Sequence, residues 1–188
     1  EVSGRDFALI RYNTDGSLDS TFSGGVVTTA LALGGDEARK ILLQNDGKIL
    51  VIGFSFDFTT RVFAVTRYNS DGSLDNTFDT DGIVTTSLSD IDDASYGGAL
   101  QSDGKIVVTG YTHVDTYDFG VVRYNTDGSL DNTFDNDGFV TPFEITRDSR
   151  NKARILWNKL IKAAARCNFE GLDMGCEFWA EQDGFFYF

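Results

Sequence analysis

Apolar and polar positions alternate along much of the first 140 residues with the period of two that marks β-strands. In one such stretch, Phe7 and Leu9 fall on one face of a predicted strand and Ile10 falls on the other. Residues 49–52 and 106–108 are instead apolar throughout, which indicates inner strands covered on both faces. Together, the two patterns predict sheets that pack against other layers.

Tight turns join these predicted strands into hairpins. Asn45-Asp46-Gly47 and Ser102-Asp103-Gly104 each lie between two β-rich runs, and an Asp-Gly pair there is a strong hairpin signal because glycine supplies the positive φ. Further strands are predicted at 83–86, 93–101 and 118–124. The pattern therefore predicts four antiparallel strands in each unit and no helix among them.

A repeat of 56 residues organises the strands. The triplet Arg-Tyr-Asn begins at Arg11, Arg67 and Arg123, and each copy continues through Asp-Gly-Ser-Leu-Asp. A period of this size marks a repeat architecture, and four antiparallel strands per repeat is the composition of a β-propeller blade. We predict an all-β fold: a propeller-like array of four-stranded antiparallel blades, with about three repeats and a C-terminal helical segment.

The sequence divides at about residue 145. Residues 1–145 form the predicted β-repeat domain, and residues 146–188 form a tail. Apolar side chains follow helical periodicity at about 149–167, which predicts a helix, whereas an Asp-Gly pair at 183–184 keeps the repeat register and makes a degenerate fourth repeat the alternative. Three repeats are too few for a closed propeller, and the chain opens with a lone last-type strand at 6–12. Either that strand completes the final blade of a closed array, or the array has open edges that self-associate.

Composition narrows the classes of partner. The 188 residues carry a net charge of −13 with a pI of about 4.3, which argues against nucleic acid and anionic membranes because both need basic patches. No apolar run reaches the roughly 18 residues that span a bilayer. The acidic balance permits cation binding. Two cysteines, Cys167 and Cys176, are too few to indicate a compartment.

The repeated phrase resembles the delta-60 repeat, a family of tandem repeats found mainly in large bacterial surface or secreted proteins. The resemblance rests on the Arg-Tyr-Asn phrase and on the Gln-x-Asp-Gly-Lys hairpins at 44–48 and 101–105, and it covers roughly residues 6–140. It implies a propeller-like β-fold and an extracellular or cell-surface location. It implies no established activity.

Signals for catalysis are few. His113 is the only histidine, and no nucleophile motif surrounds it, which argues against a nucleophile–histidine arrangement. One histidine and two tail cysteines also make a zinc site improbable. No P-loop or Gly-x-Gly-x-x-Gly motif is present. With 29 acidic residues, some carboxylate pair always lies at a suitable distance, so a carbohydrate-active hydrolase using Asp pairs is the weakest hypothesis. We predict that the protein is not an enzyme.

Acidic turns supply the candidate metal ligands. Oxygen ligands closely spaced around a glycine turn suit calcium, and the candidates are Asp15, Asp19, Asp71, Asp75, Asp79, Asp81, Asp127, Asp131, Asp135 and Asp137. The alternative is structural, because Asp in such turns hydrogen-bonds its own backbone. The Asp19 segment and its copies also look similar to the Asp-box turn of sialidase-type propellers. Each repeated arginine is expected to pair with an Asp of the adjacent turn, because a buried guanidinium needs a carboxylate.

Two aromatic-rich segments, 54–61 and 111–117, differ between copies and are better candidates for function than the repeated phrase. They are predicted as loops, with Phe54, Phe56, Phe58, Tyr111, His113 and Tyr117 as candidate ligand-binding residues. Exposed aromatics could stack on sugars or anchor a protein, or could pack between blades.

These features predict a non-enzymatic extracellular binding or structural repeat module, with a protein or carbohydrate partner at a cell surface. A calcium-stabilised adhesion module is the alternative. No cofactor is predicted, apart from calcium as the alternative.

Overall fold

The computed structural model describes residues 4–113 and 117–141, whose regular structure is almost entirely β-strand. A 3-10 turn at Ser23–Gly25 is the one helical element in those ranges. Predictions about the tail, including the helix at 149–167 and the degenerate fourth repeat, lie outside the described residues. The strands are β1 (Phe7–Ile10), β2 (Val26–Thr29), β3 (Gly35–Leu43), β4 (Ile49–Phe56), β5 (Arg61–Tyr68), β6 (Ile83–Thr86), β7 (Asp92–Leu100), β8 (Ile106–His113), β9 (Tyr117–Tyr124) and β10 (Phe139–Val140).

The strands form three antiparallel sheets. Two are four-stranded meanders, in the orders β3-β4-β5-β6 and β7-β8-β9-β10, and the third pairs β1 with β2. Each four-stranded sheet corresponds to one copy of the repeat, which confirms the all-β, four-stranded prediction for those copies. The described residues form two complete blades and one half-blade. The half-blade consists of β1 and β2, which are equivalent to the third and fourth strands of a complete blade. These sheets do not close a ring.

Sequence predictions of single strands and turns are confirmed closely. The strand predicted at 83–86 is β6, and the one predicted at 93–101 is β7, shifted by one residue. Gly47 and Gly104 both adopt a φ of +84° in the turns before β4 and β8. This left-handed conformation is the reason glycine follows Asp in both hairpins.

A β-bulge interrupts β3 and its equivalent β7 at the same place. The extra residues are Arg39 and Tyr96, and both side chains are exposed. Opposite the bulge, a Cβ on Gly53 would collide with the main-chain oxygen of Glu37, and Gly110 is crowded in the same way. Glycine at these positions therefore lets the bulge approach its partner strand.

The sheets pack face to face, and each interface buries its own apolar cluster. The cluster between the half-blade and the next sheet comprises Phe7, Leu9, Phe22, Ile49, Val51, Ala64 and Tyr68. The cluster between the two complete blades comprises Leu50, Ile52, Phe63, Val65, Phe78, Val84, Ile106, Val108, Val122 and Tyr124. Strand β4 contributes to both clusters, which confirms that it is covered on both faces. No helix among the described residues is long and apolar enough to span a membrane.

Each interface also carries a buried tyrosine–threonine hydrogen bond. The hydroxyl of Tyr68 donates a hydrogen bond to Thr29 Oγ1 at 2.7 Å, and that of Tyr124 donates to Thr86 Oγ1 at 2.7 Å. In both cases the tyrosine of the repeated triplet reaches back to a threonine at the end of the preceding sheet. The link fixes how neighbouring blades are positioned, since a buried hydroxyl without a partner is costly.

Candidate functional site

The repeated Arg–Asp pair is confirmed in all three copies. Nε to Oδ2 distances are 2.7 Å for Arg11–Asp19, 2.6 Å for Arg67–Asp75 and 2.6 Å for Arg123–Asp131. Each guanidinium also lies over a phenylalanine ring of its own turn, at 4.5 to 4.7 Å from the ring centre. The first two arginines donate to a main-chain carbonyl in the turn of the following copy. The pair therefore ties a strand to its turn and one copy to the next.

Asp75 has few remaining acceptor positions. Its Oδ2 accepts from Lys48 Nζ at 2.6 Å as well as from Arg67, and its Oδ1 accepts from Thr77 N at 3.1 Å and Thr77 Oγ1 at 2.7 Å. Burial alone would raise the pKa of Asp75, but these hydrogen bonds outweigh burial and hold the pKa well below its usual range. Asp131 is arranged in the same way. Calcium would have to displace a cation at either carboxylate.

A second set of aspartates caps its own turns. The members are Asp15, Asp71 and Asp127, and each accepts from the main-chain N–H and the hydroxyl of the serine two residues later, at 2.6 to 3.0 Å. The serine hydroxyl and N–H together lower the pKa of each carboxyl. This is the turn geometry that the structural alternative predicts.

Acidic turns of two different copies meet at a shallow groove. Asp79 N donates to the main-chain oxygen of Asp127 at 2.8 Å, and both residues line the groove. Burial raises the pKa of Asp79, and the charges of Asp81 and Asp127 add to the effect. Among residues 4–113 and 117–141, no group of three or more His, Cys, Asp or Glu side chains is arranged to hold a metal ion. Calcium binding by the acidic turns stays a prediction.

A different cluster forms where the β4–β5 hairpin approaches β7 and β8. Arg61 Nη1 donates to Asp92 Oδ2 at 3.2 Å and to the Tyr111 hydroxyl oxygen at 3.2 Å. The Tyr111 hydroxyl donates in turn to Asp92 Oδ2 at 3.0 Å. Burial and this bond to a carboxylate raise the pKa of Tyr111, so the hydroxyl remains a donor. The three residues join the two complete blades at one edge.

Aromatic rings and a second arginine extend this cluster. The Arg61 guanidinium lies 5.4 Å from the ring centre of Phe54 and 5.6 Å from that of Phe56. Arg39 lies 5.7 Å from Phe54 and 5.0 Å from Tyr96. These separations allow cation–π attraction, which links the two sheets. The aromatic–arginine patch, as we call this surface, comprises Arg39, Phe54, Phe56, Phe58, Arg61, Asp92, Tyr96, Tyr111, His113 and Tyr117.

Part of the patch is packed and part faces solvent. Tyr117 contacts Tyr111 edge-on at 5.2 Å and stacks on His113 at 4.4 Å, yet Tyr117 is 67% exposed. Phe58, at the tip of the β4–β5 hairpin, is 52% exposed and has a φ of +77°. That conformation is unfavourable for a bulky residue, and such strain is concentrated at functional positions.

All six predicted ligand-binding residues lie in this patch. The prediction that they occupy loops is wrong for five of them. Phe54 and Phe56 end β4, Tyr111 and His113 end β8, and Tyr117 begins β9. The reason is that strand pairing continues to the last pair before each turn. Phe54 is buried, as the packing alternative predicts, whereas Phe58 is exposed and its role in binding stays a prediction.

Sequence reasoning missed Arg39, Asp92 and Tyr96 as patch residues. Arg39 and Tyr96 are equivalent bulge positions, 57 residues apart, at which the copies differ. Comparing the first two strands of the copies position by position would have found them, because this difference is the same signal that singled out the aromatic segments.

The comparison with known families agrees with this architecture. The model of a domain of unknown function (DUF5122), described as a beta-propeller, matches residues 2–22, 44–78 and 101–134. The chain is therefore similar to a propeller-like repeat family. The matched segments make up just under half of the chain and contain the Arg–Asp turns, whereas the three patch residues that sequence reasoning missed lie outside them. No curated protein matches the chain.

Proposed function

We propose that this protein is a non-enzymatic binding module of the cell surface or extracellular space, and that the aromatic–arginine patch binds a carbohydrate or protein partner. One observation carries the proposal. Side chains that differ between the copies converge on one surface, although they come from both complete blades. Repeated side chains, such as the Arg–Asp pairs, are used instead to hold turns and interfaces.

Equivalent positions in the two blades show this division. Phe54 corresponds to Tyr111, and Arg61 corresponds to Tyr117, so the same scaffold position carries different chemistry in each copy. The hydrogen-bonded contact of Arg61 with Tyr111 then joins the two different sets into one surface. A purely structural array has no need for such differences, because repeated contacts stabilise it equally well.

The chemistry of the patch suits a sugar face or an aromatic contact of a protein. Exposed rings at Phe58, Tyr96 and Tyr117 offer apolar faces, and the neighbouring Asp92 and Arg39 offer hydrogen-bonding groups. Rings of this type stack on the apolar faces of sugars, and Tyr and Arg are enriched at protein-binding hot spots. Both arginines already contact carboxylates, at Glu37 and Asp92, which makes a simple anion a poorer ligand.

Retention on glycan and protein arrays tests the proposal. Tyr117→Ala and Phe58→Ala should each weaken retention about tenfold, the cost of losing one binding hot spot. Leu43→Ala is the matched control, because Leu43 is 71% exposed at the opposite end of β3 from the patch. If Tyr117→Ala and Phe58→Ala are retained as strongly as Leu43→Ala and the parent protein, the patch has no role in binding. Turnover of a bound glycan would favour the hydrolase hypothesis instead.

Calcium-stabilised adhesion is the second candidate, and the negative charges of Asp81 and Asp127 near Asp79 favour it, although these carboxylates are not arranged as a metal site in the described residues. Burial first, and then these two charges, raise the pKa of Asp79, and a bound cation would relieve the repulsion. Melting in millimolar calcium and in excess chelator tests this candidate, since a ligand at 100 times its dissociation constant stabilises by about 2.7 kcal/mol.

Asp79→Asn separates the two explanations of the crowding. If calcium binds there, the variant should lose the calcium-dependent rise in melting temperature. If the carboxylates merely repel one another, the variant should melt slightly higher than the parent, and calcium should shift neither protein. In the second case the adhesion candidate fails, and the binding proposal at the patch is unaffected.

A further inference from the structure

The bulges of β3 and β7 each place one extra residue at the junction of the two complete blades. Such a residue has no partner across the strands, so strand pairing leaves its side chain free to contact other groups. The Arg39 guanidinium lies 5.0 Å from the ring centre of Tyr96, and Glu37 Oε1 lies 3.0 Å from Arg39 Nη2. These three side chains, which we call the bulge subsite, therefore form one contact surface across the junction.

Solvent reaches the bulge position even where a sheet packs on each side of it. Arg39 is exposed, although the β3–β6 sheet packs against a described sheet on both faces. Tyr96, its equivalent in the next blade, is 47% exposed. The side chain differs between the copies, whereas the glycine opposite the bulge, Gly53 or Gly110, is the same in both. The scaffold is therefore kept while the exposed side chain changes, as expected of a position that selects a ligand.

The ion pair of the subsite limits the charge of the ligand. Glu37 and Arg39 neutralise each other, and each side chain is 36% exposed. An anion would have to displace Glu37 from the guanidinium, and a cation would have to displace Arg39 from the carboxylate. Hydroxyl groups have no such competitor, because a guanidinium has several N–H donors and a carboxylate has several acceptor positions beyond those used in their mutual contact. Two neighbouring hydroxyls, one accepting from Arg39 and one donating to Glu37, match the pair.

We propose that the bulge subsite binds a neutral oligosaccharide, with neighbouring hydroxyls on Arg39 and Glu37 and a sugar face on Tyr96. This inference rests on the function proposed above for the patch, and it selects the carbohydrate partner. A sugar carries hydroxyls beside an apolar C–H face, which is the combination that the ion pair and the ring accept. A protein hot spot would instead need a desolvated pocket, whereas all three side chains face solvent. The residue at each bulge then determines which sugar the blade binds.

Retention of the full chain on immobilised oligosaccharides tests the proposal. The neutral set contains glucose, galactose, mannose and N-acetylglucosamine oligosaccharides, and the charged set contains their sulfated forms. The parent should be retained on members of the neutral set only, and Tyr96→Ala and Arg39→Ala should each weaken that retention about tenfold. Both side chains are exposed, so the fold should survive, and circular dichroism checks that it does. Ile41→Ala is the control, an exposed apolar residue of the same strand outside the subsite.

Glu37→Gln gives the sharper test, because it removes the charge but keeps the length of the side chain. Arg39 then lacks its carboxylate, so the variant should retain sulfated oligosaccharides about tenfold more strongly than the parent. The proposal is overturned if the parent retains no neutral oligosaccharide, if the two alanine variants bind like the parent, or if Glu37→Gln leaves the preference for neutral sugars unchanged. If Phe58→Ala and Tyr117→Ala still weaken retention on a glycan or protein array in that case, the patch function stands without the subsite. If they do not, both proposals fail.

Discussion

Replacing Asp75 by Asn should destabilise the protein more than any equivalent change in the other copies. The substitution leaves Arg67, which is 6% exposed, without the carboxylate that balances its charge. Removing one partner of a buried ion pair costs about 3–5 kcal/mol, and the lower end applies because asparagine keeps one acceptor oxygen and Lys48 can turn towards water. A loss of about 3 kcal/mol is a large share of the 5–15 kcal/mol that stabilises an ordinary domain.

The first copy of the repeat supplies the control. Asp19→Asn removes the same carboxylate from a pair whose side chains are 18% and 32% exposed, against 4% and 7% for the Asp75 pair. Solvent can take over part of the lost interaction there, so the loss should be clearly smaller. Urea unfolding followed by far-ultraviolet circular dichroism measures both. Equal losses in the two variants would refute the argument that burial decides the value of this pair.

The dependence on pH gives a second test of the same reasoning. The pKa of Asp75 is lowered in the folded protein, so its contribution to the free energy of unfolding is present at neutral pH. That contribution is lost as the pH falls below about 4, the ordinary pKa of Asp, towards the lower folded value. The difference in stability between the parent and Asp75→Asn should therefore shrink steadily between pH 5 and the most acid measurable pH. A difference that stays constant would contradict the assignment.

Three further changes test turns and interfaces, each by the same unfolding assay. Thr80→Asn should stabilise by about 1 kcal/mol, because a β-branched residue at φ +72° is strained; the equivalent residue is already Asn136, and Asn136→Thr should reverse the effect. Gly53→Ala should cost several kcal/mol or prevent folding, because its Cβ would collide with the Glu37 carbonyl, and a tolerated alanine would refute the bulge argument. Tyr68→Phe should cost about 1 kcal/mol by removing a buried hydrogen bond, and no loss would show that the link is unimportant.

Much of the scaffold could be predicted from the sequence because each repeated feature has a local cause. The Asp-Gly turns need a positive φ that glycine supplies, and the structure gives Gly47 and Gly104 that φ. The partner of Arg67 was predictable for a different reason. A charged side chain at the end of a half-buried strand needs an opposite charge, and the nearest repeated carboxylate, Asp75, provides it.

The patch could be predicted only in part because its geometry depends on contacts between blades. Alternation along β4 shows that Phe54 and Phe56 share a face, but it does not show that Arg39 reaches Phe54 across a bulge. The bulge depends on Gly53 opposite it, and a single glycine inside an apolar run is a weak signal of register change. The contact of Arg39 with Tyr96 of the next sheet then follows from packing, which a pattern along the chain does not report.

The repeated Arg–Asp pairs contribute differently to stability although their sequences are nearly identical. The reason is that the neighbouring sheets decide how deeply each pair is buried. The arginine of the pair is 32% exposed in the first copy, 7% in the second and 20% in the third, and the second is the copy with a described sheet on each side. In repeat proteins the free energy of unfolding is close to a sum over the repeats and the interfaces between them. A repeat with a neighbour on only one side therefore lacks the stabilisation of one interface. None of the ten patch residues belongs to either apolar cluster, so the patch can differ between copies while the interface cores stay alike.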